Sequence, residues 1–155
     1  MARILRNICC TSGLGLFFLF TLPTADLFAL SVDETKTFRE GPFLFKMEIQ
    51  VHGSGSLKKT KPFRITSLKV KIKNERDSSE ALKVKSIRAY IEPKIYGDIE
   101  TRGFSVSPAQ WVTKYYRLRK GKQPSFGDKG YIEIAFENFV IRFDPRERKF
   151  QGPLP

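Results

Sequence analysis

Cysteine and histidine are among the rarest residues of this sequence. Among 155 residues there are two cysteines, Cys9 and Cys10, and one histidine, His52. A thiolate zinc site or a site built from several histidines therefore cannot be assembled, and a Ser-His-Asp triad would have to use His52. This histidine ends an alternating segment on its polar side, beside Gly53 and Gly55. We expect it to be an exposed surface residue rather than a metal ligand or a general base.

Catalytic motifs are also missing. The sequence has no Gly-x-Ser-x-Gly elbow, no phosphate-binding glycine loop and no dinucleotide fingerprint. Paired carboxylates could still act as in glycosidases, and Glu133 and Glu137 are the candidates. Both lie on the phase opposite the apolar residues of their segment, so we expect them to face solvent. The sequence predicts a non-catalytic protein with no metal site and no cofactor.

The first thirty residues have the layout of a secretory signal peptide. Arg3 and Arg6 precede an apolar run at residues 14–22, which is shorter than the roughly 20 residues that a membrane span needs. We therefore expect a cleaved signal rather than a retained anchor. Cleavage is expected after Ala29, with Ala25 as the alternative. Both cysteines precede the apolar run, so they would leave with the signal and would not anchor a lipid.

The chain that follows the predicted signal has no cysteine and no Asn-x-Ser/Thr sequon. Eukaryotic secreted domains of this size often carry a disulfide. The composition therefore favours an exported bacterial protein, located in the periplasm, secreted or held at the cell surface.

Alternation of apolar and polar residues dominates the remaining sequence. It is regular over residues 43–52 and changes phase near Thr66-Ser67, within residues 82–91 and at Glu137-Asn138. A period of two predicts strands with one buried face, and each phase change predicts a bulge or a break. No segment carries a helical apolar stripe over ten or more residues.

These patterns predict an all-β protein. We expect a single antiparallel immunoglobulin-like β-sandwich of about six to eight strands at residues 30–144, after a signal peptide at residues 1–29. Trp111 is expected to be buried inside this sandwich rather than to serve as a platform for a ligand. Residues 145–155 are charged and proline-rich, and we expect them to form a frayed tail.

Positive charge is unevenly distributed. The chain has a formal net charge of +12, yet no acidic residue lies between Glu48 and Glu75 or between Glu100 and Asp128. These two acid-free stretches hold seven and six basic residues. Each contains a hexamer, at residues 57–62 and 118–123, that resembles the pattern quoted for binding sulfated glycosaminoglycans.

The candidate anion-binding residues come from these hexamers and from the arginine beside the second one. They are Lys58, Lys59, Lys61, Arg117, Arg119, Lys120 and Lys122. The alternative interpretation is a solvated charged surface that keeps the protein soluble. Tyr115 and Tyr116 lie among these cations as aromatics do in single-strand nucleic-acid binders, but an exported protein rarely meets nucleic acid, so we do not expect that partner.

Part of the sequence carries a family resemblance. Residues 68–74 read Leu-Lys-Val-Lys-Ile-Lys-Asn, an alternating segment that ends in asparagine. Residues 104–108 end in Val-Ser-Pro, and residues 118–123 contain Gly121 and Gln123. This order resembles the first immunoglobulin-like domain of periplasmic pilus-assembly chaperones, although Arg119 and Lys120 stand where those proteins have Leu-x-Pro. The resemblance implies a sandwich that binds partners by lending a strand edge, and it assigns no site residue.

The sequence thus favours a non-catalytic, exported binding domain of the bacterial cell envelope. Its basic loops would contact an anionic partner: an envelope polysaccharide, a glycosaminoglycan, a lipid head group at a membrane surface, or an acidic envelope protein. The alternative is a structural or chaperone-like component of envelope assembly that acts through a strand edge.

Overall fold

The computed structural model describes residues 29–57, 62–91, 94–119, 123–126 and 129–155. Residues 1–28 of the predicted signal peptide lie outside these ranges. The described residues form eleven strands: β1 (Ala29–Glu40), β2 (Phe43–Gly55), β3 (Phe63–Asn74), β4 (Leu82–Ile91), β5 (Lys94–Glu100), β6 (Phe104–Val106), β7 (Trp111–Arg117), β8 (Ser125–Phe126), β9 (Tyr131–Phe136), β10 (Val140–Asp144) and β11 (Lys149–Leu154). Within these ranges no helix has the length and apolarity to cross a membrane.

The strands form two antiparallel sheets. The first has the order β1-β2-β3-β7, with β8 paired to β3 beyond the end of β7. The second has the order β11-β10-β9-β4-β5, with β6 paired to β4. The inward faces of both sheets contribute to one hydrophobic core. The predicted antiparallel sandwich is confirmed, with more strands than the expected six to eight.

Phenylalanine rings fill one end of the core. The Phe45 ring of β2 lies 5.3 Å from Phe38 of β1, 5.4 Å from Phe136 and 5.7 Å from Phe139, measured between ring centroids. Each ring pair lies within the distance range of favourable aromatic contacts. Since Phe45 and Phe136 belong to different sheets, these contacts hold the two layers together.

The phase change at Thr66-Ser67 is a bulge, as the alternation predicted. His52 pairs with Ser67 and Gly53 pairs with Ile65, so Thr66 is the extra residue on β3. Its hydroxyl donates to the His52 carbonyl at 3.1 Å. A Cβ at Gly53 would lie 2.5 Å from a backbone oxygen and from a core ring, so the bulge requires glycine there.

The other two phase changes also correspond to irregularities. The pairing of β4 with β9 shifts between Val84 and Ser86. Around Glu137 the chain breaks into two strands, because the Phe136 backbone N–H donates to the Phe139 carbonyl at 2.9 Å and closes a tight turn. The alternating segment from Tyr131 to Phe143 therefore becomes the hairpin of β9 and β10.

The expectation of a frayed tail was wrong. Residues Lys149–Leu154 form β11, which pairs with β10 at the edge of the second sheet. The Phe150 ring lies 4.8 Å from Phe143 and 5.5 Å from Phe38. This one aromatic side chain anchors a segment whose other residues are mostly polar or proline.

Asn74 fixes the start of β7 relative to the end of β3. Its side chain is fully buried and donates to the carbonyls of Glu80 and Val106 at 2.8 and 2.9 Å. Its backbone N–H donates to the Gln110 carbonyl at 3.1 Å, one residue before β7 begins. These bonds tie the 75–81 connection, β6 and β7 to a single point.

Candidate anion-binding face

The two acid-free stretches of the sequence lie side by side in the first sheet. Among the cations of these stretches, Arg64, Lys69, Lys71 and Lys73 lie on β3, and Lys114 and Arg117 lie on β7. The two strands pair antiparallel. In this register Lys73 lies opposite Trp111, and Lys69 lies opposite Tyr115. Side chains of like phase on paired strands point to the same side of a sheet, so residues about 40 positions apart in sequence meet on the outer face.

We call this outer surface the cationic face and define it by four rows that run from β1 to β7. The rows are Thr37–Lys46–Lys73–Trp111, Thr35–Glu48–Lys71–Thr113, Asp33–Gln50–Lys69–Tyr115 and Ser31–His52–Ser67–Arg117. Their five Lys and Arg side chains outnumber their two carboxylates, so the face carries a net positive charge.

Trp111 lies on the cationic face, and its expected burial in the sandwich was wrong. The side chain is 40% exposed, because it occupies the outward phase of β7 while Val112 and Tyr116 face inward. The Lys71 ammonium lies 4.0 Å from the centroid of the indole, and those of Lys46 and Lys73 lie 5.9 and 5.8 Å away. These distances are within the range of cation–π attraction, so lysines surround the ring.

Three of the lysines on this face are also paired with glutamates. Glu48 accepts from Lys71 at 3.2 Å and from Lys46 at 3.4 Å, and Glu75 accepts from Lys73 at 2.7 Å. Partial desolvation acts to raise the pKa of Glu48, but the hydrogen bonds and charges of Lys71 and Lys46 outweigh it and lower that pKa below its usual value. These lysines are thus already engaged by carboxylates and by the indole.

The remaining two cations of the face, Lys69 and Arg117, differ from the paired lysines. Neither makes an ion pair within the part of the chain that the structure describes. Lys69 lies directly opposite Tyr115, and Arg117 follows two residues later on the same side of β7. Tyr115 is 62% exposed. We call Lys69, Tyr115 and Arg117 the Tyr115 cluster.

The predicted anion-binding residues fall in two groups. Lys58, Lys59, Lys61, Lys120 and Lys122 lie outside the described residues. Arg117 lies on the cationic face, and the exposed Arg119 follows β7. Both arginines line a cleft of about 220 Å³ that also includes Asp98 and Gly97 of β5.

Both hexamers adjoin the same end of the first sheet. The first precedes the start of β3 and the second follows the end of β7, and these strands are antiparallel. Described residues at this end are hydrogen-bonded to each other: the Leu118 N–H donates to the Thr66 carbonyl at 2.9 Å, and the Ile65 N–H donates to the Pro124 carbonyl at 2.9 Å.

The two paired-carboxylate candidates contact different cations. Glu133 accepts from Arg142 at 3.2 Å, whereas Glu137 pairs with Lys83 at 3.2 Å. Glu137 is exposed as expected, but the Glu133 side chain is only 18% exposed. His52 lies on the outer face as expected, but it is half-buried. Within residues 29–57, 62–91, 94–119, 123–126 and 129–155, no group of three or more His, Cys, Asp or Glu could hold a metal ion.

Two arginines on the outer face of the second sheet are paired with carboxylates. Arg88 pairs with Asp98 at 2.9 Å, and Arg142 pairs with Glu133 while lying 4.6 Å from the Tyr131 ring. An anion approaching these arginines would have to break their pairs, whereas Lys69 and Arg117 on the cationic face have no ion-pair partner among the described residues. Comparison of the chain with protein-family models, with curated proteins and with solved structures finds no match.

Proposed function

We propose that this protein is an exported, non-catalytic domain of the bacterial cell envelope that binds an anionic partner through its basic surface. The observation that carries the proposal is the pairing of β3 with β7, which brings cations from both acid-free stretches into one sheet. The partner would be an envelope polysaccharide, a glycosaminoglycan, a lipid head group or an acidic protein.

The electrostatics favour an extended anion over a single small one. Each exposed cation contributes a modest attraction that salt screens over about 8 to 10 Å. The cationic face continues at one end toward Arg119, and both hexamers adjoin the strands of that end in sequence. A polymer that contacts many of these charges adds their small contributions, whereas a small ion contacts one or two.

Retention on heparin and on anionic vesicles at rising salt tests the proposal. A variant with Lys58, Lys59, Lys61, Arg119, Lys120 and Lys122 changed to serine should elute at lower salt than the unmodified protein. The matched control changes Lys36, Lys149 and Arg76, which are exposed cations outside the four rows and both hexamers, and it should elute like the unmodified protein. Elution of the unmodified protein at low salt, unchanged by the six substitutions, would contradict the proposal.

A second candidate is a structural or chaperone-like component of envelope assembly that acts through a strand edge. The observation that favours it is β1, whose twelve residues pair with β2 along their whole length and with no other strand among the described residues. A free edge of this length offers backbone N–H and C=O groups to a partner strand. This function predicts co-purification of one envelope protein that rising salt does not disrupt, whereas anion binding predicts release by salt.

A further inference from the structure

We propose that the row Asp33–Gln50–Lys69–Tyr115, together with Arg117, binds a uronic-acid polysaccharide across the first sheet. This inference rests on the proposed function and narrows the anionic partner to one chemical class. It also places the specific contacts on the strands, while the two hexamers contribute charge alone. The Tyr115 cluster provides the contacts to one acidic sugar, and the β1 side of the row provides polar contacts to its neighbours.

The cations of the cationic face differ in whether carboxylates and the indole already engage them. Lys46, Lys71 and Lys73 are held by glutamates and by the Trp111 ring, so an incoming anion must compete for them. Lys69 and Arg117 have no ion-pair partner among the described residues. A sugar carboxylate placed between them would contact an ammonium and a guanidinium. The guanidinium can bind both carboxylate oxygens at once.

An exposed aromatic ring lies beside these two cations on the same face. Tyr115 projects from a paired strand with 62% of its side chain exposed. A pyranose presents a face of polarised C–H groups, and these are attracted to the negative face of an aromatic ring. Because tyrosine has few rotatable bonds and β7 is already ordered, little conformational entropy is lost when a sugar stacks on it.

The β1 side of the row is polar. Asp33 and Gln50 line a shallow depression of about 150 Å³ that also includes Thr35 and Lys69. A carboxylate, an amide and an ammonium offer both donors and acceptors, which sugar hydroxyls require. Strands lie about 4.8 Å apart, so the row spans about 14 Å from β1 to β7. This length suits several linked sugars rather than one ion.

The mixture of charges favours a polysaccharide over a nucleic acid or a membrane. Asp33, Glu34 and Glu48 all line the depression beside Lys69. A phosphodiester chain carries a charge on every nucleotide and would place phosphates against these carboxylates. Each uronic-acid unit carries several hydroxyls beside its one carboxylate, so hydroxyls can meet Asp33 while a carboxylate meets Lys69 and Arg117.

The test is titration of the intact protein with short oligogalacturonates and with their methyl esters, which keep the sugar rings but lose the charge. The single tryptophan, Trp111, lies on the same face and provides a fluorescence readout beside calorimetry. We expect the acid to bind more tightly than the ester. Changing Lys69 and Arg117 together to glutamine should weaken binding of the acid about tenfold and leave the ester unaffected.

Substitutions of Tyr115 separate its ring from its hydroxyl. Tyr115→Thr keeps a strand-forming residue and should weaken binding of both acid and ester about tenfold, whereas Tyr115→Phe should bind both like the unmodified protein. Lys149→Gln removes an exposed lysine from the second sheet and serves as the matched control, with no expected change. Circular dichroism of each variant verifies that it is folded.

The outcomes separate this inference from the proposed function. If the protein binds single-stranded oligonucleotides or phosphatidylglycerol vesicles but not oligogalacturonates, the inference is overturned and anion binding stands. The inference is likewise overturned if oligogalacturonate binding is lost in the six-serine hexamer variant but unchanged by all substitutions at Lys69, Tyr115 and Arg117. If the protein binds none of these probes and passes through heparin at low salt, both proposals fail.

Discussion

The phenolic oxygen of Tyr116 lies 3.2 Å from Oε2 of Glu100. This hydrogen bond connects β7 at the edge of the first sheet to the end of β5 at the edge of the second. Tyr116 occupies the inward phase of β7, between the outward Tyr115 and Arg117. The bond therefore helps to position the strand that carries Tyr115 and Arg117.

Removal of this hydroxyl should change both the stability and its pH dependence. Tyr116→Phe is expected to lower the free energy of unfolding by about 1 kcal/mol near neutral pH, as for a typical hydrogen bond. Burial, together with the charge of Glu100, raises the pKa of Tyr116 above its usual value. In the unmodified protein this contribution is present below about pH 10 and is lost as the pH rises further, because only the unfolded state then releases the proton readily.

At acidic pH, the stabilising contribution of this hydrogen bond depends on pH in the opposite direction. The backbone N–H of Arg102 donates to Glu100 at 3.0 Å, and this bond, with that from Tyr116, lowers the pKa of Glu100 although partial burial opposes the shift. Its contribution is present above the ordinary glutamate pKa and is lost as the pH falls below it. Urea unfolding should show that, at both pH extremes, the free energy of unfolding of Tyr116→Phe depends less on pH than that of the unmodified protein. A pH profile parallel to that of the unmodified protein would contradict this assignment.

The contact between Lys71 and Trp111 should contribute a small, measurable stability. Trp111→Ala removes the ring that lies 4.0 Å from the Lys71 ammonium, and exposed contacts of this kind are worth about 0.5 to 1 kcal/mol. A double-mutant cycle with Lys71→Met isolates the pair, monitored by circular dichroism because Trp111 is the only tryptophan. Additive effects of the two substitutions would show that the ring and the ammonium do not interact.

The sequence predicted those parts of the fold that local alternation encodes. The bulge at Thr66 was predictable because an extra residue in a strand reverses the phase of every following side chain, and this reversal is visible in the apolar positions of β3. β1 was not predicted, because it lies at a sheet edge and buries only Val32 and Phe38 fully. An edge strand lacks the regular apolar face on which the pattern depends.

The candidate site was less predictable because it depends on strand order. Lys69 and Tyr115 lie opposite each other only because β3 pairs with β7 and not with β4, which follows it in sequence. The strand arrangement also explains why the prediction for Trp111 was wrong. A large apolar side chain favours burial, whereas the outward phase of Trp111 on the edge strand β7 exposes it. The alternating lysines of β3 indicated one side of the face locally. Their aromatic neighbours on β7, Tyr115 and Trp111, could be identified only from the register of the two strands.

Asn74 should be among the most sensitive polar positions in the described structure. Asn74→Ala would leave the carbonyls of Glu80 and Val106 without their side-chain donor in a buried environment. The expected loss is about 2 to 4 kcal/mol of unfolding free energy, the combined cost of one buried and one partly buried hydrogen bond. Asn138→Ala, at an exposed turn position, is the matched control and should change stability by less than about 0.5 kcal/mol. Equal effects of the two substitutions would contradict the anchoring role of Asn74.

Phe150 tests whether the final strand belongs to the folded domain. Its ring contacts Phe143 within the second sheet and Phe38 in the first, so Phe150→Ala removes packing on both sheets. Because the side chain is half-buried, we expect the free energy of unfolding to fall by about 1 to 3 kcal/mol. This is less than the loss for a fully buried phenylalanine. Lys149→Ala alters the adjacent exposed residue and should have little effect. Chemical denaturation measures both, and identical midpoints for Phe150→Ala and the unmodified protein would mean that residues 149–154 do not stabilise the sandwich.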